Sequence, residues 1–265
     1  MTLEELRIAF DRLAPEDPGA LYSVFAKNMK TGEVFAVNQD RQLPAASVIK
    51  MCVLIEVFNQ AYQGLFGLDD TQEVGKDTGG ARGSGILKFF KLPVHLSVYN
   101  LATLMIIISD NTASNACIDL VGFDAVNRTL QALGCRGTAL RRYFIGAAVD
   151  DRSKDNLMTT GDYGMLLEKL YHRRLISPQV SDGMLEIMKK QTLNTRIPLH
   201  LPEGTVVAHK TGTQPMTTHD SGIVYGPDGN DYVVSIGVTG VPARPRGSDW
   251  VADVSKLVWD YFICP

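Results

Sequence analysis

The sequence is poor in most of the features that mark a membrane, nucleic-acid or metal protein. No apolar run reaches membrane-spanning length; the longest, Leu101 to Ile108, is half a span at most, so no membrane partner is expected. No block of one charge occurs either. Lysine and arginine total 26 against 29 acidic residues, for a formal net charge of −3, and the densest basic spots, Arg141-Arg142 and His172-Arg173-Arg174, are short. Nucleic-acid recognition normally needs a basic patch or a known module, so no such partner is expected. Cysteine is limited to four positions, Cys52, Cys117, Cys135 and the penultimate Cys264, without metal-ligand spacing. That scatter reads as small core residues in a reduced compartment. The histidines, His95, His172, His200, His209 and His219, show no ligand spacing, and neither a metal nor a cofactor is expected. Met1 to Phe10 reads as an acidic amphipathic helix start, without the basic and apolar regions of a signal peptide. The chain as written therefore reads as cytoplasmic, and as periplasmic or secreted only in a processed mature form.

With 265 residues, 45% hydrophobic and 21% charged, the chain has the size and composition of an enzyme domain. Two strand-like runs, Tyr22 to Met29 and Glu33 to Asn38, meet at the hairpin signal Lys30-Thr31-Gly32. A mostly helical middle follows, up to about Gln191, with loops at Gly75 to Gly85 and Arg141 to Met158. Strands return at Thr205 to Thr211, Gly222 to Tyr225 and Tyr232 to Val238, before a closing helix from Trp250 to Phe262. This order predicts an α+β fold: a five-stranded antiparallel sheet assembled from both ends of the chain, flanked by helices, with an all-helical lobe inserted. The expected unit is one catalytic domain over residues 1–265, with a sheet lobe at 1–60 and 196–265 and a helical lobe at 61–195. Chemistry belongs in the cleft between the lobes.

Three polar clusters stand out in order: Ser47-Val48-Ile49-Lys50, Ser109-Asp110-Asn111 and Lys210-Thr211-Gly212. Pro44 cannot sit inside a helix, so a helix is expected to start between Pro44 and Ser47. Ser47 then stands in a first turn whose free N–H groups favour developing negative charge. Lys50, three residues on, shares its face and can reach its hydroxyl. A serine hydroxyl needs a neighbouring base to attack, and a lysine serves only when burial or a nearby cation lowers its pKa. Ser109-Asp110-Asn111 ends a very apolar helix, where it can project a hydroxyl and an amide inward; Asp110 reads as the residue that pins the loop. Lys210 and Thr211 lie on a returning strand, placed to bind a carboxylate. Gly212 permits close backbone approach, and the N–H of Thr213 can stabilise an oxyanion. His209 should face away from Lys210 by strand alternation, and reads as a packing residue. Each cluster also has a bland explanation as helix cap, loop pin or edge-strand lysine. Their joint order does not.

The three clusters resemble the SxxK, SDN and KTG signatures of class A β-lactamases and penicillin-binding D,D-peptidases. Pro44 to Ser47, Met105 to Ala116, Val126 to Gly134, Asn156 to Gly161 and Gly222 to Gly229 look like further class A pieces in class A order, so the resemblance covers about Tyr22 to Phe262. It implies that Ser47 is the acylated nucleophile and Lys50 its proton acceptor. Ser109 would pass the proton to the leaving nitrogen, Asn111 bind the acylamino side chain, and Lys210 with Thr211 meet a substrate carboxylate. The N–H groups of Ser47 and Thr213 would form the oxyanion hole. The implied partner is a small-molecule or short peptide-like substrate bearing a carboxylate.

The chain departs from that family at two points. If Asn156 matches the asparagine of the family's ExxLN loop, the residue four back is Arg152, and no glutamate occurs from Arg141 to Asn156. Asp150, Asp151 and Asp155 are the acids of that segment, with Asp151 and then Asp150 the candidate water activators. The usual carboxylate-binding arginine before the glycine of the next strand is replaced by Ser221, after His219-Asp220; Arg244 or Arg246 is the candidate substitute. The expectation is a serine hydrolase that acylates on a β-lactam-like cyclic or linear amide and deacylates slowly. An esterase, amidase or D,D-peptidase-like activity on another substrate, and a non-catalytic penicillin-recognising protein, are the alternatives.

Overall fold

β1 (Leu21–Asn28) buries alternate residues on two layers and pairs antiparallel with β2 (Val34–Val37) across the Lys30-Thr31-Gly32 turn. In the computed structural model, which describes residues 1–75, 83–144 and 154–264, these strands join three from the other end of the chain. The remaining described strands are β3 (Leu43–Pro44), β4 (Thr71–Val74), β5 (Val94–Ser97), β6 (Leu157–Met158), β7 (Val206–Gln214), β8 (Thr217–Tyr225) and β9 (Tyr232–Thr239). The main sheet has the order β2-β1-β9-β8-β7, wholly antiparallel. The expected five-stranded sheet is therefore present.

α1 (Leu3–Leu13) and α8 (Ser248–Ile263) cover one face of the sheet, with Phe10 packed edge-on against Phe35 and Trp250. α1 starts with a reciprocal cap, in which the Thr2 hydroxyl accepts from Glu5 N–H and the Glu5 carboxylate accepts from Thr2 N–H. On the other face lies the helical layer: α2 (Lys50–Tyr62), α3 (Val98–Ile107), α4 (Asn111–Val121), α5 (Phe123–Leu133), α6 (Thr160–Tyr171) and α7 (Pro178–Met188).

Two helices sit on the other side of the expected lobe division. α2 is buried at every residue from Lys50 to Asn59, so it occupies the centre of the helical cluster, against α3, α4, α5 and α7, rather than the sheet lobe. α6 lies directly on β1 and β9. Gly164 makes that approach possible, since a Cβ there would stand 2.1 Å from the Phe25 ring.

β8 begins five residues earlier than expected. Thr217 to Ser221 carry no apolar signal, yet all five are buried, because their side chains form a polar layer between strands and helices. Thr217 bonds to Thr239 and Ser221 to Ser235, each at 2.8 Å. β4 pairs with β5 and β3 with β6; these ribbons were too short to stand out by periodicity.

Candidate active site

The turn that carries Ser47 is held from three sides. Leu43-Pro44 pairs with Leu157-Met158, and the Ala45 N–H donates to Asn156 O at 2.7 Å. The Pro44 carbonyl accepts from His219 Nε2 at 2.7 Å. Burial pushes His219 down to about 4, so the ring is neutral and its Nε2–H stays committed to Pro44. Ala46 is forced to φ +46, a strained conformation for a residue with a Cβ, directly before Ser47. Ser47 lies in a 3-10 turn, Ala46–Ile49, and the α-helix proper starts only at Lys50. Gly212 of β7 rests on this turn: a Cβ there would meet Val48 N, Ala45 O and Ser47 N at 3.1–3.2 Å. Its close approach is to the Ser47 turn itself.

The second loop is fixed by Asp110, which is fully buried. One carboxylate oxygen accepts from the N–H groups of Ile86 (2.6 Å) and Leu87 (2.9 Å), and the other caps α4 through Ala113 N–H at 3.0 Å. Ser109, at φ +57, is the second strained residue of the site. The Asn111 N–H is tied to Ser84 O at 3.1 Å.

The two lysines converge on Ser109. Lys50 Nζ lies 3.1 Å from Ser109 Oγ, 2.8 Å from Ser109 O and 2.7 Å from Asn111 Oδ1. Lys210 Nζ lies 3.1 Å from the same Oγ and 2.8 Å from Thr211 O. Both side chains are fully buried. Burial, and then the charge of Lys210, hold Lys50 well below its ordinary value, against the opposing pull of Asp110. Burial brings Lys210 down to about 7, with Asp220 opposing and Arg196 assisting. The sequence expectation had Lys50 reaching the Ser47 hydroxyl; among the described residues its hydrogen bonds run instead to Ser109 and Asn111.

A cleft of about 330 Å³ opens in front of this network, lined by Ser47, Asn111 and Thr213 together with Arg142, Phe144 and Asp155. Thr211 is buried and offers its carbonyl to Lys210, so it is Thr213 that faces the cleft from β7. Asp150, Asp151 and Arg152 lie outside the described residues. Asp155, the one acid on the cleft wall among the described residues, is engaged by Arg142 Nε at 3.0 Å, by its neighbour Asn156 N–H at 2.9 Å and by Gln214 Nε2 at 3.4 Å.

Arg246 is turned outward onto Asp17, at 2.5–2.8 Å, and Arg244 is exposed; neither lines the cleft. Ser221 pairs opposite Lys210 but points its hydroxyl into the sheet, to Ser235. The arginine that does reach this region is Arg196, buried to 2% exposure. Its Nη2 donates to Thr213 Oγ1 at 2.5 Å and its Nη1 to His219 O at 3.2 Å, while Nε has no partner. Sequence reasoning passed over it because Asn194-Thr195-Arg196 reads as an ordinary loop. Phe144 and its clamp by Asn115 were missed for the same reason: a tertiary contact between loop and helix leaves no periodic trace. His209 faces away from Lys210, as expected, bonded to Asp220 (2.9 Å) and Asn194 (3.1 Å).

A sequence model described as the Beta-lactamase enzyme family matches residues 5–262. The chain belongs to this family. Beta-lactamase VEB-1 of Pseudomonas aeruginosa is 24% identical over 259 residues, covering 91% of this chain and 84% of the relative. A mutant of PBP-A, solved as its acyl-enzyme complex with penicillin G, is 30% identical, with a TM-score of 0.91 and coverage of 99% and 98%. A beta-lactamase from Sphaerobacter thermophilus is 29% identical, also at a TM-score of 0.91, covering 100% of this chain and 99% of that one. The molecule is thus a β-lactamase-like hydrolase of the class A and penicillin-binding group, built around a small-molecule cleft. Within that family, the three clusters of the sequence converge on one side of the cleft.

Proposed function

We propose that this β-lactamase-family hydrolase works through a covalent acyl-enzyme on Ser47 and releases it slowly. The observation that carries the reading is the Ser109 hydroxyl, placed 3.1 Å from both lysine amines at the edge of a cleft that also presents Ser47. Lys50, neutral because it is buried beside a second cation, takes the Ser47 proton as Oγ attacks an amide carbonyl. The backbone N–H groups of Ser47 and Thr213 receive the developing oxyanion, worth about 3 kcal/mol of barrier per donor. The proton returns through the Ser109 hydroxyl to the leaving nitrogen, a path that the lysine–serine–lysine geometry already joins. Asn111 lines the cleft where an acylamino group would bind.

The substrate carboxylate is placed at Thr213. Its Oγ1 accepts from Arg196, so its own proton is free to donate into the cleft. Slow release is supported by Asp155, the one acid on the cleft wall among the described residues, whose oxygens are already engaged by Arg142, Asn156 and Gln214. The substrate is a β-lactam or a linear amide of similar shape. A D,D-peptidase-like activity is the second reading, favoured by the 30% identity to PBP-A over almost the whole chain.

Intact-mass analysis over time after adding penicillin G tests this reading. One stoichiometric adduct is expected, mapped to Ser47, persisting over many times the period of its formation. An adduct on Ser109 or on a cysteine, or none, removes it. Buried Cys52 and Cys117 are held at about 12 by burial and should stay unlabelled.

Arg196→Ala should raise KM about tenfold for a carboxylate-bearing substrate, the size of one lost charge-assisted hydrogen bond. Its methyl ester should be nearly indifferent to the change, with kcat little altered for either substrate. An equal effect on acid and ester would show a purely structural arginine.

A further inference from the structure

His219 stands at the middle of a row that crosses three strands. On β8 it pairs with Gly212 of β7 on one side and with Gly237 of β9 on the other. The glycines leave room for a ring aimed at the Ser47 turn: a Cβ on Gly237 would stand 2.6 Å from His219 Nδ1, and one on Gly212 would meet Ser47 N at 3.2 Å. The row therefore touches the turn at two points. Gly212 rests against Ser47 and its neighbours, while His219 Nε2 donates to the Pro44 carbonyl at 2.7 Å. Between those points lies Ala46 at φ +46, a conformation that persists only where its surroundings impose it. The backbone of His219 has a second tie. Its carbonyl accepts from Arg196 Nη1 at 3.2 Å, and Nη2 of the same guanidinium donates to Thr213 Oγ1. A side chain kept for packing alone would be apolar here. His219 is fully buried and its Nδ1 makes no hydrogen bond, a desolvation cost that leucine would not incur.

We propose that His219 is the positioning residue of the oxyanion site: by fastening the Pro44 carbonyl to β8, it sets the separation of the Ser47 and Thr213 N–H groups. The inference rests on the acyl-enzyme reading above. Those two donors belong to different elements, a 3-10 turn and an edge strand, so no local backbone geometry fixes the distance between them. His219 is joined to both, through its ring to the Ser47 turn and through Arg196 to Thr213. As Ser47 Oγ bonds to the acyl carbon, the carbonyl electron pair moves onto its oxygen and the Ser47 proton passes to Lys50. The donors then face a full negative charge, where in the bound amide they face only a dipole. They must stand about 2.7–3.1 Å from that oxygen to stabilise it. A small displacement of the Ser47 turn therefore costs rate rather than binding. His219 touches neither substrate nor reacting atoms; it acts through the turn that it holds.

The test compares His219→Gln with His219→Asn. Glutamine carries its amide N–H as many bonds from Cα as Nε2 and reaches the Pro44 carbonyl; asparagine stops one methylene short. Two quantities are read on folded protein. One is the acylation rate at saturating penicillin G, by quenched intact mass. The other is the dissociation constant of phenylacetamidomethyl boronic acid, by calorimetry. The boronate bonds to Ser47 Oγ as a tetrahedral anion and presents an oxygen to the two donors. His219→Asn should lose about tenfold or more in both, part of the roughly hundredfold to thousandfold that a whole oxyanion donor is worth. The penicillin G concentration for half-maximal acylation should stay within about twofold, since ground-state binding does not use the donors in full. His219→Gln should stay within about threefold of the natural chain in both quantities, because it restores the bond to Pro44. Natural values in His219→Asn overturn the inference, and so do equal losses in both variants, the mark of a ring that only packs. Lost acylation with unchanged boronate affinity overturns it too, since the donors would then be in place. Gly237→Ala sets a methyl against Nδ1 and displaces the ring without removing it. It should show the same paired loss, and it decides the matter if a histidine variant fails to fold. Absence of any adduct on the natural chain is a different failure: it overturns the acyl-enzyme reading, and this inference with it.

Discussion

Lys50→Met should slow acylation of Ser47 by roughly three orders of magnitude, within the range that a positioned general base contributes. The substitution keeps the length and apolar stem of the side chain and removes only the amine. Burial already favours the uncharged state of that amine, so the replacement costs little in desolvation. What it does remove is the donor of two buried hydrogen bonds, those to Ser109 O and Asn111 Oδ1. A stability loss of about 1–3 kcal/mol is expected from each if unrelieved by water, so the assay belongs well below the unfolding temperature. Lys210→Met should behave differently, raising KM for anionic substrates as well as slowing proton transfer, because Lys210 works as a cation. The pH profile of kcat/KM separates the two amines. In the proposed role Lys50 acts as the neutral form, and its pKa is held well below 10.5 by burial and by Lys210, so the rate should rise as pH climbs through that lowered value. In the proposed role Lys210 acts as the charged form, and burial brings its pKa down to about 7, so the rate should fall above neutrality. Asp110 and Asp220 are the anions facing these amines and Arg196 the further cation. A bell is expected, with its alkaline limb abolished in Lys210→Arg and its acid limb abolished in Lys50→Met. Acylation of Lys50→Met at the natural rate would remove the base role.

Much of this arrangement was legible in the residues. Ser47, Lys50, Ser109, Asn111 and Lys210 stand out in the sequence by chemical type and order, and the structure gathers them at one cleft. The alternating runs of β1 and β9 and the Gly226 to Gly229 turn announce the sheet. The parts that were not legible are those fixed by tertiary contact. β8 hides its first half because Thr217 to Ser221 are buried as polar residues, satisfied by strands and by an arginine remote in sequence. Arg196 is invisible for the same reason, as no local pattern distinguishes it from the solvated arginines around it. Arg244 and Arg246 were drawn by proximity to the last strand, but Asp17 offers Arg246 an ion pair on the outer surface instead. In the loop after α5, sequence comparison anchored the register on Asn156. That residue's side chain in fact accepts from the N–H groups of Arg141 and Arg142. The residue that reaches Lys50 is Phe144, twelve positions earlier in the chain.

Asp110→Ala should destabilise the protein by about 3–4 kcal/mol, the largest loss expected from any single polar residue of the site. Its carboxylate receives three backbone N–H groups: Ile86 and Leu87 from the segment that walls the cleft, and Ala113 at the start of α4. The helix cap alone is worth about 1 kcal/mol. Each of the other two bonds is to an ionised acceptor, and each buried N–H left without one costs about 1–3 kcal/mol before relaxation. Relaxation is restricted on the Gly85 side, where backbone and carboxylate are so close that a Cβ on the glycine would stand 2.3 Å from the Asp110 side chain. Asp110→Asn should fall between, since one amide oxygen can serve one side of the loop while the amino group faces N–H donors on the other. The consequence for chemistry follows from position. Asp110 lies between Ser109 and Asn111, and without its carboxylate the loop that carries Ser109 at φ +57, with Oγ between the two lysines, loses three backbone anchors. Acylation should therefore drop by at least tenfold even at temperatures where the variant is fully folded, while ligand-independent unfolding keeps its denaturant slope. Denaturant titration read alongside the acylation rate checks both. A loss under 1 kcal/mol with natural acylation would mean that the loop is held by Asn111 and Ser84 alone, and that the strain at Ser109 is sustained by the lysines it serves.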